Sequence, residues 1–176
     1  MTLKKDDWNR QRLSGIGLAI DHYQPWPSYL VKLDDGANLY QMIGDTGGQV
    51  FLRYGSGETV DAFLATLADA VTDVSIGADE IVHYHNWPAR QVTVSQQRPQ
   101  IGVYRTKDPR FGPSHDTIPA STTHVEIIGF RHNSIPVLVG FRIPQEALDE
   151  HRPVLRRIIS SVSQTDEYPN QSRLSQ

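Results

Sequence analysis

The sequence predicts an α+β protein: an antiparallel β-sheet packed by two main helices, at about 57–72 and 153–163. Three observations predict it. From Thr123 to Val162 the chain reads strand, tight turn, strand, helix. A single amphipathic helical stripe, Val60 to Val74, stands between strand-like runs on either side. β-branched and aromatic runs bounded by Gly, Pro, Asn and Asp fill most of the remainder. A hairpin with one apolar face must lay it against another layer, and the two helices supply that layer.

Residues 1–14 are polar and are expected to form a flexible N-terminal segment. Ile16, Leu18 and Ile20 alternate with Gly and Ala, suggesting a first strand over Gly15 to Asp21. Pro25-Trp26-Pro27 breaks it, because proline removes a ladder donor and restricts the residue before it. Ser28 to Leu33 alternates again, with Tyr29, Val31 and Leu33 on one face. Asp34-Asp35-Gly36 is a turn. Leu39 to Ile43 and Gln49 to Tyr54 are strands joined through Asp45-Thr46-Gly47-Gly48, where glycine permits positive φ. Ser56 is an N-cap candidate, with Glu58 in the first turn at the positive end of the helix dipole. Val60, Phe63, Leu64, Leu67, Val71 and Val74 then make one helical stripe.

Glu80 to His85 is expected as a strand, Asn86 to Ala89 as a turn, and Arg90 to Ser95 and Ile101 to Tyr104 as strands. Thr106 to Thr122 carries Pro109, Gly112, Pro113 and Pro119 and is expected as one long loop, a kind of segment that is usually functional. After the 123–143 hairpin, Val154, Leu155, Ile158, Ile159 and Val162 form an apolar stripe. Pro153 is expected to begin this helix, with a separate turn over Gln145 to Glu150. The single domain is thus expected to span 15–163, followed by a disordered tail at 164–176.

The chain has 176 residues, 38% of them hydrophobic and 21% charged, with a net charge of −3. That is ordinary for a soluble globular domain and argues against bulk nucleic-acid binding. No cysteine is present, which excludes disulfides and thiolate metal sites and fits a reducing compartment. The N-terminus lacks the apolar stretch of a signal peptide, and no run approaches a membrane span. A cytoplasmic location with no stable membrane insertion is the expectation. Charge is uneven: residues 54–89 carry only acids, and 90–110 are mainly basic.

Three stretches resemble the Mog1/PsbP-like superfamily, which includes DcrB-type proteins and the Eag chaperones of type VI secretion. They are the turn Trp87-Pro88-Ala89 running into the strand Arg90 to Ser95, the hairpin arm Val137 to Pro144, and the closing helix Leu155 to Val162. The likeness covers residues 63–162. It implies a binding protein and not an enzyme. The function expected from it is a chaperone or adaptor for a secreted effector. An immunity protein that blocks a toxin is the alternative within the same class, and a homodimer is compatible with either.

The residues allow one chemical alternative, a small metal-dependent enzyme. His83 and His85 stand at i and i+2, so on a strand both imidazoles face one side and can reach one ion; His124 adds a third if its strand lies alongside. No acidic ligand is placed nearby by sequence, so the expectation is no bound metal and no cofactor. His115-Asp116 has the composition of an oriented base, but no motif supplies a nucleophile. Gly44 to Gly48 is glycine-rich but lacks the Lys-Ser/Thr ending of a phosphate loop. For partner binding the candidates are Arg105, Lys107, Arg110 and Phe111 in the long loop, and Trp26 between its two prolines. Basic residues speed encounter with an acidic partner, and loop-borne aromatics dominate contact energy.

Overall fold

The computed structural model describes residues 4–13, 15–55, 60–69, 73–104 and 115–165. In chain order the strands and helices are β1 (Trp8–Leu13), β2 (Leu18–Tyr23), β3 (Ser28–Lys32), β4 (Asn38–Ile43), β5 (Gln49–Tyr54), α1 (Val60–Ala68), β6 (Asp73–Tyr84), β7 (Trp87–Arg98), β8 (Ile101–Tyr104), β9 (His115–Ile118), β10 (Ser121–His132), β11 (Ile135–Pro144), α2 (Leu148–Ser160) and β12 (Ser163–Gln164). Seven strands form one antiparallel sheet in the order β3-β4-β5-β11-β10-β7-β6. The strands β1-β2-β12 form a small second sheet, and β8-β9 a two-stranded arm.

Alternation along each central strand loads both faces of the large sheet. Val50, Leu52, Ile128, Phe130, Val137, Val139, Phe141 and Ile143 face α2 and the small sheet, and form the larger core. The opposite face carries Phe51, Val92, Val94, Val125, Ile127 and Leu138, which pack against Val60 and Leu67 of α1. Among the described residues the protein is therefore three-layered, with α1 covering one side. Gly140 of β11 is closely flanked by its neighbouring strands. A Cβ there would meet the Glu126 carbonyl oxygen at 2.3 Å and Phe51 Cζ at 2.8 Å.

The β10–β11 hairpin forms as its residues predict. Asn133 and Ser134 take φ of 49° and 66°, the two positive values of a two-residue type I′ turn. The Gly44–Gly48 segment is a hairpin turn, closed by Gly44 N–H donating to the Gly48 carbonyl at 2.7 Å.

Several expected boundaries are corrected. Residues 8–13 are not a loose segment but β1, in full register with β2. Arg10 ties it down, donating to Asp21 at 2.9 Å and to the Ser161 carbonyl at 2.7 Å. Arg157 lies 3.9 Å from the centre of the Trp8 ring. At the other end, β12 pairs with β2, and Thr165 N–H reaches the Gly17 carbonyl at 2.9 Å, so the ordered fold passes position 163. The helix is shorter than its stripe suggests: α1 ends at Ala68 and Val74 already belongs to β6, while Ser56, Glu58 and Val71 lie outside the described residues. The turn before β7 is His85–Asn86, and Trp87-Pro88 is already strand. The loop expected over 106–122 contains β9, which pairs with β8 from Ile101–Ile118 to Tyr104–His115.

Pro153 does not divide the last helix. α2 runs unbroken from Leu148 to Ser160, after a single 3-10 turn at Gln145–Ala147. The proline costs one i→i−4 bond. It lies on the exposed side of α2, as does Asp149, whose carbonyl loses that bond and is open to water, so the helix continues. At the far end the Tyr84 hydroxyl donates to the Ile159 carbonyl, one of the orphan acceptors of a helix C-terminus. Burial pushes the Tyr84 phenol well above its ordinary value.

Candidate functional site

Nine residues of α1 are too few to roof a seven-stranded face. Val60, the first described residue of the helix, stands directly above Gly129 of β10, where a Cβ would lie only 2.4 Å from Val60 Cγ2. Glycine at this point lets the first turn of α1 rest on the sheet backbone. Farther along, Phe63 stacks on Phe51 with ring centroids 5.2 Å apart. Beside Val60, toward the β6 edge, no described residue covers the face. A groove of about 490 Å³ lies there, floored by Gly129 and Leu138 and walled by Val60, Pro88 and Ile81. That volume is in the range of about 300–1,000 Å³ typical of ligand clefts. Ile81 is 82% exposed at the rim, the most exposed large apolar side chain among the described residues.

One arginine sets the width of this groove. Arg90 on β7 donates from Nε and one terminal nitrogen to both oxygens of Asp79 on β6, each at 2.8 Å. Its other terminal nitrogen reaches Asp61 on α1 at 2.7 Å. The fork therefore clamps the helix to the edge strand. Hydrogen bonding from Arg90 holds the Asp79 carboxyl below the usual carboxylate range, and the same bonds raise Arg90. The acidic and basic blocks of the sequence meet here and neutralise one another in part. At the groove's end Arg131 is turned onto the Ser134 carbonyl, 2.9 Å away.

A second cavity, of about 760 Å³, opens at the opposite end of the sheet, where β7 ends and β10 begins. Its lining is more polar and includes Asp73, Arg98 and Glu146. The β8–β9 arm leaves the sheet at this end.

The sequence-derived candidates scatter. Trp26 is 2% exposed, edge-on to Tyr23 at 5.8 Å and packed against Gly44, where a Cβ would meet its ring at 2.6 Å. It is a core side chain, and the expectation that it anchors a partner is corrected: nothing of it is left to present. Trp87 is partly buried against the core, stacked on Phe130 at 4.7 Å. Arg105, Lys107, Arg110 and Phe111 lie outside the described residues, and so do the side chains of His115 and Asp116.

The histidines are not brought together. His83 shares the strand face of Ile81, but His85 has φ 53° and leaves the strand. Its ring lies 4.6 Å from Tyr84 and 6.1 Å from Trp87, against the other face. The i, i+2 geometry fails because the turn begins one residue earlier than expected. His124 pairs with Ser95, while His83 pairs with Pro88. Those positions are seven residues apart along β7, about 23 Å of strand. His124 instead bonds Glu126 at 3.0 Å. Among the described residues no three His, Cys, Asp or Glu side chains converge as a metal site would require. No helix among the described residues is long and apolar enough to cross a membrane.

The groove itself was missed. Ile81 stands between Asp79 and His83 on its face of the strand, and Gly129 is an isolated glycine in a strand. A glycine inside a strand can mark close backbone approach, which was the one available signal.

These features define a class: an antiparallel α+β sandwich with one helix on a partly open sheet face. Cyanobacterial PsbP (CyanoP) from Synechocystis sp. PCC 6803 has the same architecture, at a TM-score of 0.56 and 10% identity over 90% of this chain and 92% of that one. So has the Ran-binding protein Mog1p of Saccharomyces cerevisiae, at a TM-score of 0.51 and 9% identity over 90% and 96%. A point variant of Mog1 gives 0.50 at 10% identity, over 91% and 97%. The chain has the Mog1/PsbP-like fold. No protein-family model matches it, and no curated protein matches it in sequence.

Proposed function

We propose that this chain is a non-enzymatic protein-binding module, and that the α1–β6 groove receives an apolar segment of its partner. The observation that carries the reading is the groove itself, apolar in its floor and bordered by the Arg90–Asp61 pair, with Ile81 standing exposed at its lip. An exposed apolar side chain beside a concave apolar surface is what a partner's anchor residues require. The likeness to Mog1p, by name a Ran-binding protein, supports protein binding as a use of this fold. A chaperone or adaptor that shelters an apolar stretch of a secreted effector fits such a groove. The Arg105–Phe111 segment is a second element of the proposed contact, tested by deleting residues 108–114, which spares β9.

The experiment is comparative capture from the native host. Tagged wild-type protein and Ile81→Glu are incubated with the same lysate, and bound proteins are quantified. Ile81 is nearly all surface, so the variant should unfold within about 0.5 kcal/mol of wild type. A partner enriched on wild type and lost from Ile81→Glu supports the reading, and its identity separates an effector from a toxin. An identical set of bound proteins on both refutes the groove as the site.

A further inference from the structure

The two edges of the large sheet are built differently. The β6 edge carries Asp73, Asp79 and Glu80 and a register shift between Ile76 and Ala78, devices that discourage strand addition. The β3 edge, Ser28-Tyr29-Leu30-Val31-Lys32, has no bulge in its pairing with β4 and one charge. Tyr29, Leu30 and Val31 are 49%, 54% and 42% exposed, and no described strand lies beyond them.

The hydrogen bonds show which backbone groups this edge offers. Ile43 N–H donates to the Pro27 carbonyl at 3.0 Å, and Leu33 N–H to the Ala37 carbonyl at 2.8 Å. Both pairs continue the β3–β4 register, so the odd residues of β3 turn their backbone groups toward β4. Ser28, Leu30 and Lys32 therefore point their N–H and C=O groups outward.

We infer that β3 pairs with β3 of a second copy of this chain, antiparallel about a two-fold axis through Leu30, making one continuous sheet across the dimer. In that register Leu30 bonds the partner's Leu30, and Ser28 and Lys32 bond the partner's Lys32 and Ser28. Every outward backbone group of the strand is satisfied. Lys32 faces a serine and no like charge. Tyr29 falls opposite the partner's Val31 at the closely spaced positions, an aromatic–β-branched pair of the favourable kind. Ile43 lies on the same face as Tyr29 and Val31, and is also exposed, which extends the apolar contact. A five-residue strand pair is small for a specific interface, so a dissociation constant of about 10–100 µM is expected.

Sedimentation equilibrium of the full chain tests the association. Leu30→Pro removes only an outward N–H and no bond to β4, a site where a strand tolerates proline. It should remain monomeric at concentrations where wild type dimerises, with an unchanged melting temperature. If the proline unfolds the protein, Val31→Lys, which keeps every backbone donor, decides by the same criterion. The register is tested by disulfide trapping, since the chain has no cysteine. Tyr29→Cys mixed with Val31→Cys should cross-link at least tenfold faster than either alone, because identical positions stand about 7–8 Å apart on the diagonal. A wild type that stays monomeric up to about 500 µM overturns the inference. So does a dimer unaffected by the folded edge variants, or one whose trapping shows no preference for the 29–31 pair.

Discussion

Gly129→Ala is the sharpest test of how α1 meets the sheet. The added methyl would lie 2.4 Å from Val60 Cγ2 and 3.2 Å from Leu138 Cδ2. Carbon atoms at rest stand about 3.5–4.0 Å apart, so Val60 must retreat by about 1 Å or more. A valine in a helix has one strongly preferred rotamer, so the helix has to shift with it. Overpacking of this kind costs about 1–3 kcal/mol. The control is Val60→Ala, which removes the colliding methyl and by itself loses about 1.6 kcal/mol of burial. In that background the helix offers only ordinary contact, its residue-60 Cβ lying 3.8 Å away, and the flexible end of Leu138 has to give by a few tenths of an ångström. Gly129 does not have positive φ, so the alanine should then stabilise by about 0.4–1 kcal/mol through the unfolded chain. The sign of the same substitution reverses, with a coupling on the order of 2 kcal/mol. Urea unfolding of the four proteins, followed by tryptophan fluorescence and circular dichroism at constant m-value, measures it. Equal effects of Gly129→Ala in both backgrounds would refute the contact.

Gly140→Ala should have no such rescue, because the obstacle is the Glu126 carbonyl and not a side chain; even with Phe51→Leu, a loss above about 3 kcal/mol is expected by thermal unfolding. Leu67→Ala should cost about 2–5 kcal/mol, and an unchanged unfolding midpoint would show that the stripe of α1 is not buried. Tyr84→Phe leaves the Ile159 carbonyl without its donor and should lose about 1–2 kcal/mol in urea, with Trp87→Phe as a probe control for fluorescence. His132 is buried edge-on to Trp87 at 5.5 Å, and burial lowers its pKa from the ordinary 6.5. The unfolded chain therefore takes up the proton first. The contribution of His132 is fully present above about pH 6.5 and is lost as pH falls toward the folded value. His132→Gln should flatten the melting-temperature profile over that interval, and a parallel profile would rule His132 out as the group responsible.

Local pattern was enough for the β10–β11 hairpin, the helix stripe around Val60 to Leu67, and the class of the fold. Period-2 and period-3.6 spacing and turn chemistry act between near neighbours, so a single sequence displays them. Boundaries followed less well, for one recurring reason: tertiary partners extended or cut what propensity suggested. Polar β1 is a strand because Leu18 to Tyr23 lies beside it and Arg10 binds Asp21. Val74 left the helical stripe because β7 offered it a ladder position opposite Gln96. Pro153 stayed inside a helix because α2 has a buried stripe to hold it and a solvent side for the lost bond.

The site was a tertiary decision altogether. Ile81, Arg90, Gly129 and Leu138 come from four strands, and Val60 and Asp61 from α1; no spacing rule connects them. The Arg90 fork pairs charges up to 29 residues apart in sequence. His83 and His85, which sequence spacing joined, were separated by a single positive φ at the turn. The outward hydrogen-bonding direction of β3 depends on which of its residues bond β4, a parity that alternation of side chains cannot reveal. Composition and periodicity determined what this chain must bury; only the packing of α1 against seven strands decided what it leaves uncovered.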